Sequence, residues 1–394
     1  MLGKEKAPII VIGTGSVGVK FINELVVRQP GARIKAFGGE DQLPYSREKR
    51  TKVLTGELSK DSLFINSKLH ESDNVQVFLN NLIVNIDTTK SEVTDSNGDI
   101  HSYSKLVLAT GSIPRTIPVK GNDLENVLTF RNLQDAELLK TRQMSSRRTV
   151  IVGGGLVGLN TAYAMNQHNT NVTVIESSSC LMSQLLDNHA SVYVRLFLSD
   201  IDIDVRNKAN VVRIEGKDKI EQVVLDDGEV IPCDTLIISI GIIPNTELAK
   251  KIGLKIKRGI VVDDSLQTSQ KNIYAIGECA EHRERIYALA QPGFEQAAVL
   301  AQIMAGGKAK YTGSIAATKL GLVEYPVISI GDNGDNVGTV KSQKELKYRN
   351  IKNMRYRKLL LKNGFLQGVI ATGSWDQSKE LQTWVEKKQY VWPW

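Results

Sequence analysis

With 394 residues, 41% of them hydrophobic and 24% charged, the chain is long enough for two or three domains and has the composition of an ordinary globular protein. Its longest apolar runs, such as Leu236-Ile237-Ile238-Ser239-Ile240, are strand length and far short of the ~20 residues of a membrane helix, so no span is predicted. The net charge of +7 is modest, and Cys180, Cys233 and Cys279 form no C-x-x-C pair, so neither a disulfide framework nor a zinc or iron–sulfur site is expected.

The residues Lys4, Glu5 and Lys6 pass directly into an apolar strand, with no apolar region followed by a cleavage site, and a cytoplasmic location is the expectation. Ile9-Ile10-Val11-Ile12 reads as a strand buried on both faces. It runs into Gly13-Thr14-Gly15-Ser16-Val17-Gly18, a G-x-G-x-x-G turn whose glycines allow a tight bend, close approach to a pyrophosphate and close helix packing. Glycine-rich turns also follow strands that bind nothing, so the pattern acquires meaning only from its context. Val17 to Val27 reads as an amphipathic helix ended by Pro30-Gly31, and Arg33 to Phe37 as a second strand. Glu40 then stands about two dozen residues beyond the first glycine, where a carboxylate can accept hydrogen bonds from a ribose diol.

A proline-bent loop carries Arg47 into a basic helical segment with Lys52; the two cations suit the phosphates and ring of a dinucleotide, or are plain surface charges. Val75 to Ile86, Glu92 to Thr94 and Ile100 to Tyr103 read as strands, the last two separated by the Asn97-Gly98 turn. Lys105 to Leu108 is a buried strand closing in Ala109-Thr110-Gly111-Ser112-Ile113-Pro114-Arg115, small residues that let backbone pass near a ligand.

A second fingerprint starts at Val150-Ile151-Val152, with Gly153, Gly155 and Gly158 at the same spacing, a helix through Met165, and a strand Val172 to Ile175 ending at Glu176. Strand, glycine turn, helix, strand and acid make the full dinucleotide-binding context. Ser177, Ser178 and Ser179 follow the acid with no Lys or Arg to pair a 2′-phosphate, which points to NADH rather than NADPH. Further strands end at Gly241 and at Gly277-Glu278, where a carboxylate can accept from a ribityl hydroxyl. A helix from Gln291 to Met304 would aim its positive end at a flavin's pyrimidine edge. From about Tyr311 the glycine turns stop, strand-like pieces follow, and a last helix near Lys379 to Lys387 precedes the tail Tyr390-Val391-Trp392-Pro393-Trp394.

Together these segments resemble FAD-dependent pyridine nucleotide oxidoreductases with two dinucleotide-binding domains. The resemblance is to the branch containing rubredoxin and ferredoxin reductases, apoptosis-inducing factor and the NADH-binding part of nitrite reductase. It rests on residues 109–115, 241–245 and 273–278 in that order. It implies an α/β fold of two Rossmann-like domains, one for FAD over residues 1–116 and 242–310 and one for NADH over 117–241, with a small α+β domain over 311–394. It places FAD on Gly13, Gly15, Ser16 and Gly18, with Glu40 on the ribose, Arg47, Lys52 and Arg115 as basic contacts, and Ile83 at the adenine. Ala109, Thr110, Gly111, Gly277, Glu278 and Gln291 complete that site, Glu278 standing where most relatives carry aspartate. NADH falls to Gly153, Gly155, Leu156, Val157, Gly158 and Glu176, with Gly241 near the nicotinamide. Lys52 is the candidate electrostatic partner of reduced flavin.

The disulfide-reductase branch is disfavoured, because no cysteine precedes Cys180 and no histidine follows His282. No iron–sulfur or siroheme ligand set is present, so electrons should pass from NADH through the flavin to a separate acceptor. The run Lys341 to Lys358 holds eight Lys/Arg and one acid, Glu345. It reads as a solvated face or as a dock for a small acidic carrier such as rubredoxin. No nucleic-acid motif accompanies it. Direct reduction of oxygen, quinone or dye, or a non-enzymatic NADH-sensing role, are the alternatives, in a monomer or homodimer.

Overall fold

The structure, a computed structural model, describes residues 7–65, 73–168, 170–322, 325–332, 343–375 and 378–391. The chain divides into two compact units, Met1–Arg50, Leu58–Ile113 and Ile242–Ser314 in one, Thr51–Glu57, Pro114–Gly241 and Ile315–Trp394 in the other.

The first unit begins with β1 (Ile9–Ile12), whose Ile10 and Val11 are completely buried. Helix α1 (Ser16–Arg28) follows and turns Val19, Phe21, Ile22 and Leu25 inward; it stops at Arg28, leaving Gln29 outside the helix, as the steric demand of Pro30 on its predecessor requires. Strand β2 (Ile34–Phe37) lies parallel to β1, with Ile9 opposite Ile34 and Ile12 opposite Phe37. Helix α2 (Arg50–Leu54) precedes β3 (Val75–Phe78).

The expected single strand over Val75 to Ile86 is two. Asn80 takes a left-handed φ of 48°, the chain turns, and β4 (Ile83–Asp87) leaves for an antiparallel sheet with β5 (Glu92–Asp95) and β6 (Ile100–Ser102). The Asn80-Asn81 pair is the turn chemistry behind the break. Asn81 turns inward and its Nδ2 donates to buried Asp95 at 2.9 Å. Strand β7 (Lys105–Leu108) then returns beside β1, and β8 (Ser112–Pro114) follows it.

In the second unit β9 (Val127–Thr129) leads to α3 (Leu133–Ser145), which Asn132 and Asp135 start with a reciprocal capping box. Then come β10 (Arg148–Val152), α4 (Leu156–Asn166), β11 (Asn171–Glu176), α5 (Asn188–Asp200) and β12 (Ile203–Asn207). An antiparallel trio, β13 (Val211–Gly216), β14 (Ile220–Leu225) and β15 (Val230–Pro232), precedes β16 (Thr235–Ile238). The segment Thr51–Glu57 joins this unit because buried Gln143 donates from one amide to the carbonyls of Leu54 (3.1 Å) and Ala164 (2.8 Å).

The chain re-enters the first unit through β17 (Ile242–Pro244), α6 (Glu247–Lys251), β18 (Ile260–Val262), β19 (Ile273–Ala275), β20 (Ala280–His282) and α7 (Ala290–Met304). Among the described residues the parallel sheets order as β3-β2-β1-β7-β19 and β12-β11-β10-β16-β9. Each therefore sets its glycine-bearing strand beside the point where strand order reverses, and the crevice that binds ligands in doubly wound folds opens there.

The chain ends in an antiparallel sheet, ordered β21-β22-β25-β24-β23, of β21 (Ala317–Leu322), β22 (Tyr325–Gly331), β23 (Gln343–Asn350), β24 (Arg355–Lys362) and β25 (Phe365–Thr372). Helix α8 (Ser378–Glu386) packs Leu381 and Val385 against Ile328, Ile330 and Leu366. Of the aromatic tail, Tyr390 packs edge-on to Phe365 at 5.4 Å and Val391 donates to the Gly364 carbonyl, while Trp392 to Trp394 lie outside the described residues.

Candidate functional site

The two glycine turns can be compared atom for atom. Gly13 has φ +118°, open only to glycine, and a Cβ there would lie 2.1 Å from the Ala109 carbonyl oxygen. A Cβ on Gly18 would lie 2.1 Å from the Gly13 oxygen. In the second unit Gly153 has φ +111° with the Ser239 oxygen 2.2 Å from the built Cβ, and Gly158 meets the Gly153 oxygen at 2.0 Å. These four glycines serve packing between strand and helix. Gly15 and Gly155 differ: both are extended, both are the N-cap of their helix, and a Cβ on either meets nothing within 4 Å.

No side chain caps α1 or α4, and neither helix has an acid in its first turn. The first amides and the positive end of each helix are thus left for an anion that can approach the bare glycine, which is what a pyrophosphate requires. Ser16 opens α1, and Leu156 and Val157 open α4.

The acids beyond the turns are held. Glu176 accepts from the amide of Gly154 at 2.7 Å through Oε2 and from that of Ser178 at 2.8 Å through Oε1. Glu40 accepts from the Tyr45 hydroxyl at 2.7 Å and pairs with Arg47. Arg47, expected among the cofactor contacts, thus pairs with Glu40, the acid expected at the ribose. Ile83 is buried at the start of β4. In the signature after β7, Thr110 Oγ1 donates to the Asn245 carbonyl at 2.7 Å and the Asn245 amide donates to the Gly111 carbonyl at 2.9 Å, so Thr110 and Gly111 are stitched to Asn245.

Glu278 lies in a single 3-10 turn, Gly277–Cys279, after β19. Its Oε2 accepts from Ser112 Oγ at 2.7 Å, and the amide of Gly277 donates to Gln296 Oε1 at 2.7 Å. Ser112 and Gln296 were not among the expected residues. Ser112 sits inside the signature, but its partner is 166 residues away, a pairing no local pattern encodes. Gln291 is exposed at the start of α7 and reaches Glu295 at 3.3 Å.

Lys52 is half-exposed, with Nζ 3.2 Å from Glu57 Oε2. Arg115 is exposed, its amide donating to the Gly241 carbonyl at 3.0 Å; Gly241 has φ +100° and open space around it. Cys233 and Cys279 are buried, and burial pushes the Cys233 thiol up to about 12. Cys180 is half-buried. No group of three or more His, Cys, Asp or Glu among the described residues is placed to hold a metal, and no helix among them is long and apolar enough to cross a membrane.

The basic run does not form one face. Its described residues lie on β23, β24 and the turn between them, and alternation sends neighbours to opposite sides. Lys347, Arg349 and Lys358 share one side, where Lys358 is 3% exposed and paired with Asp187 (3.2 Å) and Glu345 (3.1 Å), Lys347 pairs with Glu345, and Arg349 meets His189. Lys344, Arg355 and Arg357 share the other, and Arg357 donates to the backbone carbonyls of Tyr356, Thr372 and Ser374. Lys341 lies outside the described residues.

A family profile described as pyridine nucleotide-disulphide oxidoreductase matches residues 7–298, and one described as rubredoxin NAD+ reductase C-terminal domain matches 317–389. Nitrite reductase (NAD(P)H) of Bacillus subtilis strain 168 is 31% identical over 386 residues, covering 97% of this chain and 48% of that one. Rubredoxin-NAD(+) reductase of Ectopseudomonas oleovorans is 35% identical over 280 residues, 70% of this chain and 72% of that one. The chain spans about half the length, or less, of the nitrite reductases it matches. Its fold is that of the reductase in the covalent putidaredoxin reductase–putidaredoxin complex, with a TM-score of 0.88 at 23% identity over 98% of this chain and 94% of that one.

Proposed function

Because the chain belongs to the pyridine nucleotide-disulphide oxidoreductase family, an FAD-dependent family that uses NADH, we propose that it is an NADH-dependent flavoprotein reductase delivering electrons to a separate small carrier. The observation that carries this reading is the pair Gly15 and Gly155, each bare of neighbouring atoms at the start of an uncapped helix. Residues 1–116 and 242–310 would hold FAD, residues 117–241 would hold NADH, and residues 311–394 form the third domain. When bound, FAD supplies a ring that accepts a hydride, two electrons and one proton, from NADH and passes the electrons on.

The protein's share is binding and orientation. Gly13, Gly15, Ser16 and Gly18 shape the pyrophosphate seat in the first unit, and Glu40, held by Tyr45 and Arg47, presents its carboxylate to a ribose. Ala109, Thr110, Gly111, Gly277, Glu278 and Gln291 complete that site, with Ile83, Lys52 and Arg115 as further contacts. Gly153, Gly155, Leu156, Val157 and Gly158 seat the second pyrophosphate, Gly241 lies toward the nicotinamide, and Glu176 selects the unphosphorylated ribose because Ser177 and Ser178 offer no cation to a 2′-phosphate.

The rubredoxin-type C-terminal profile and the rubredoxin-NAD(+) reductase relative support a small acidic iron carrier as acceptor. Lys344, Lys352 and Arg355, exposed cations of the basic run outside the pairings with Asp187, Glu345 and His189, are the charges we assign to it. Steady-state NADH turnover against a panel of carriers tests the reading: a purified rubredoxin should be reduced faster than oxygen, quinone or dye. A rate with rubredoxin that does not fall between low and high salt, or that is unchanged in a Lys344→Glu/Lys352→Glu/Arg355→Glu variant, removes the docking assignment. Fastest turnover with oxygen alone removes the carrier.

A further inference from the structure

Gln296 is among the most deeply buried polar side chains of the first unit, 1% exposed on the inner face of α7. It has no place in the glycine-turn signatures, and it points at one. Its Oε1 accepts the amide of Gly277 at 2.7 Å, the residue before Glu278, in a turn where Gly277 takes φ +81°. A Cβ on Gly277 would stand 3.3 Å from Val17 Cγ1, and one on Gly293 would stand 2.6 Å from Val17 Cγ2, so this turn and the start of α7 are both pressed onto α1, the helix of the first glycine fingerprint.

Tyr311, in the segment that follows α7, is itself 2% exposed. Tyr311 shares a 2.7 Å hydrogen bond with Ser314, whose amide donates to the Tyr287 hydroxyl at 3.1 Å and whose hydroxyl donates to Glu295. The Gly277 turn therefore rests on a side chain held out of water. The carboxylate it carries has a second support, since Ser112 Oγ, on β8, donates to Glu278 Oε2 at 2.7 Å.

We propose that Gln296 and Ser112 are positioning residues for Glu278, the first fixing the backbone that carries it and the second aiming its carboxylate toward the flavin's ribityl chain. The inference rests on the FAD reading above and assigns two residues that reading does not contain. It also accounts for glutamate at this position. A side chain one methylene longer than aspartate has one more torsion to fix, and the Ser112 hydroxyl holds the far oxygen.

The test uses the full chain reconstituted with FAD. Gln296→Met keeps length and loses the hydrogen bond from the Gly277 amide; it should raise the FAD dissociation constant about tenfold and shift the visible absorption of the bound flavin. Ser112→Ala should weaken FAD several-fold with the same spectral direction, and it keeps the proposal testable if Gln296→Met does not fold. Tyr311→Phe, which leaves the Gly277 hydrogen bond in place, should change the constant less than twofold. In a Glu278→Ala background Gln296→Met should have little further effect on FAD affinity, because its action runs through that side chain. Additive losses in the double variant, or FAD affinity and flavin spectrum unchanged in Gln296→Met or in Ser112→Ala, overturn the proposal. Failure of the wild-type chain to bind FAD overturns the parent reading instead.

Discussion

Gly13 and Gly153 have backbone oxygens where a Cβ would sit, and left-handed φ, so alanine at either is a folding defect. Gly15 and Gly155 have neither constraint, and their substitution separates binding from folding. Gly15→Val should cost the FAD-free chain no more than about 1 kcal/mol, the loss of a favourable N-cap residue, since the added Cβ meets nothing within 4 Å, while weakening FAD about tenfold or more. Gly155→Val should do the same to NADH while bound FAD is retained; chemical unfolding and ligand titration check both. Asp95 supplies a pH dependence. The hydrogen bond from His101, with Asn81 and the amides of Asp99 and Asn97, outweighs burial and holds its carboxyl at about 2 against an ordinary 3.8. A carboxyl depressed on folding adds stability above its unfolded pKa and loses it as pH falls toward the folded value. The stability advantage of wild type over Asp95→Asn should therefore be constant above about pH 5 and shrink between pH 3.8 and about 2, as urea unfolding at stepped pH would reveal. The glycine spacing was legible at this scale because a turn is local. Ser112, Gln296 and the Arg47 to Glu40 pairing were not, because each partner arrives through the fold.

Among the elements, β23 and β24 show why a charge run is a poor guide to a surface. A strand sends every second residue to a given side, so the cations on β23 and β24 could never share one face, and the fold draws Lys358 inside. There Asp187 does three things at once. It caps α5 by accepting the Ala190 amide at 2.9 Å, accepts the Tyr356 hydroxyl at 2.7 Å, and pairs with Lys358. Burial opposes its charge, yet these partners hold its carboxyl below the ordinary range. For Lys358, burial pulls down, but the hydrogen bond to Glu345 and the charge of Asp187 raise it overall. Asp187→Ala should accordingly cost about 2–3 kcal/mol, beyond the ~1 kcal/mol of a cap alone, because it removes the cap, the acceptor of the Tyr356 hydroxyl and one of the two carboxylates on buried Lys358. Equilibrium denaturation of Asp187→Ala beside Asn132→Ala, which removes the cap of α3, reads the difference, and a loss near 1 kcal/mol would mean that Lys358 finds Glu345 sufficient. Helix limits were legible from periodicity and caps, α1 and α7 lying within a residue or two of expectation. The break between β3 and β4 was not: Asn80 and Asn81 are short polar residues inside an alternating pattern, and only the Asp95 partnership gives Asn81 a reason to turn in.

For the molecule as a whole, thiol-independent chemistry is the sharpest expectation. Cys233 and Cys279 are buried and burial raises both thiols, while Cys180 is half-buried beyond the second glycine turn. A Cys180→Ser/Cys233→Ala/Cys279→Ala variant, corrected for FAD content, should keep NADH-dependent carrier reduction within about twofold; loss of turnover in a folded, FAD-loaded variant would refute the thiol-free reading. By itself the sequence determined the class of fold, the duplication of the dinucleotide unit, the two acids and the absence of a cysteine pair, because buried parallel strands, glycine turns and the residue types after them are written in short contiguous stretches. Tertiary structure alone decided which side of a strand each cation takes, which of the three glycines in each turn is left bare for a ligand, and which distant side chains hold Glu278. Those are properties of where strands 100 or more residues apart come to lie, and hydrogen bonds act over about 3 Å of space however long the chain between their partners.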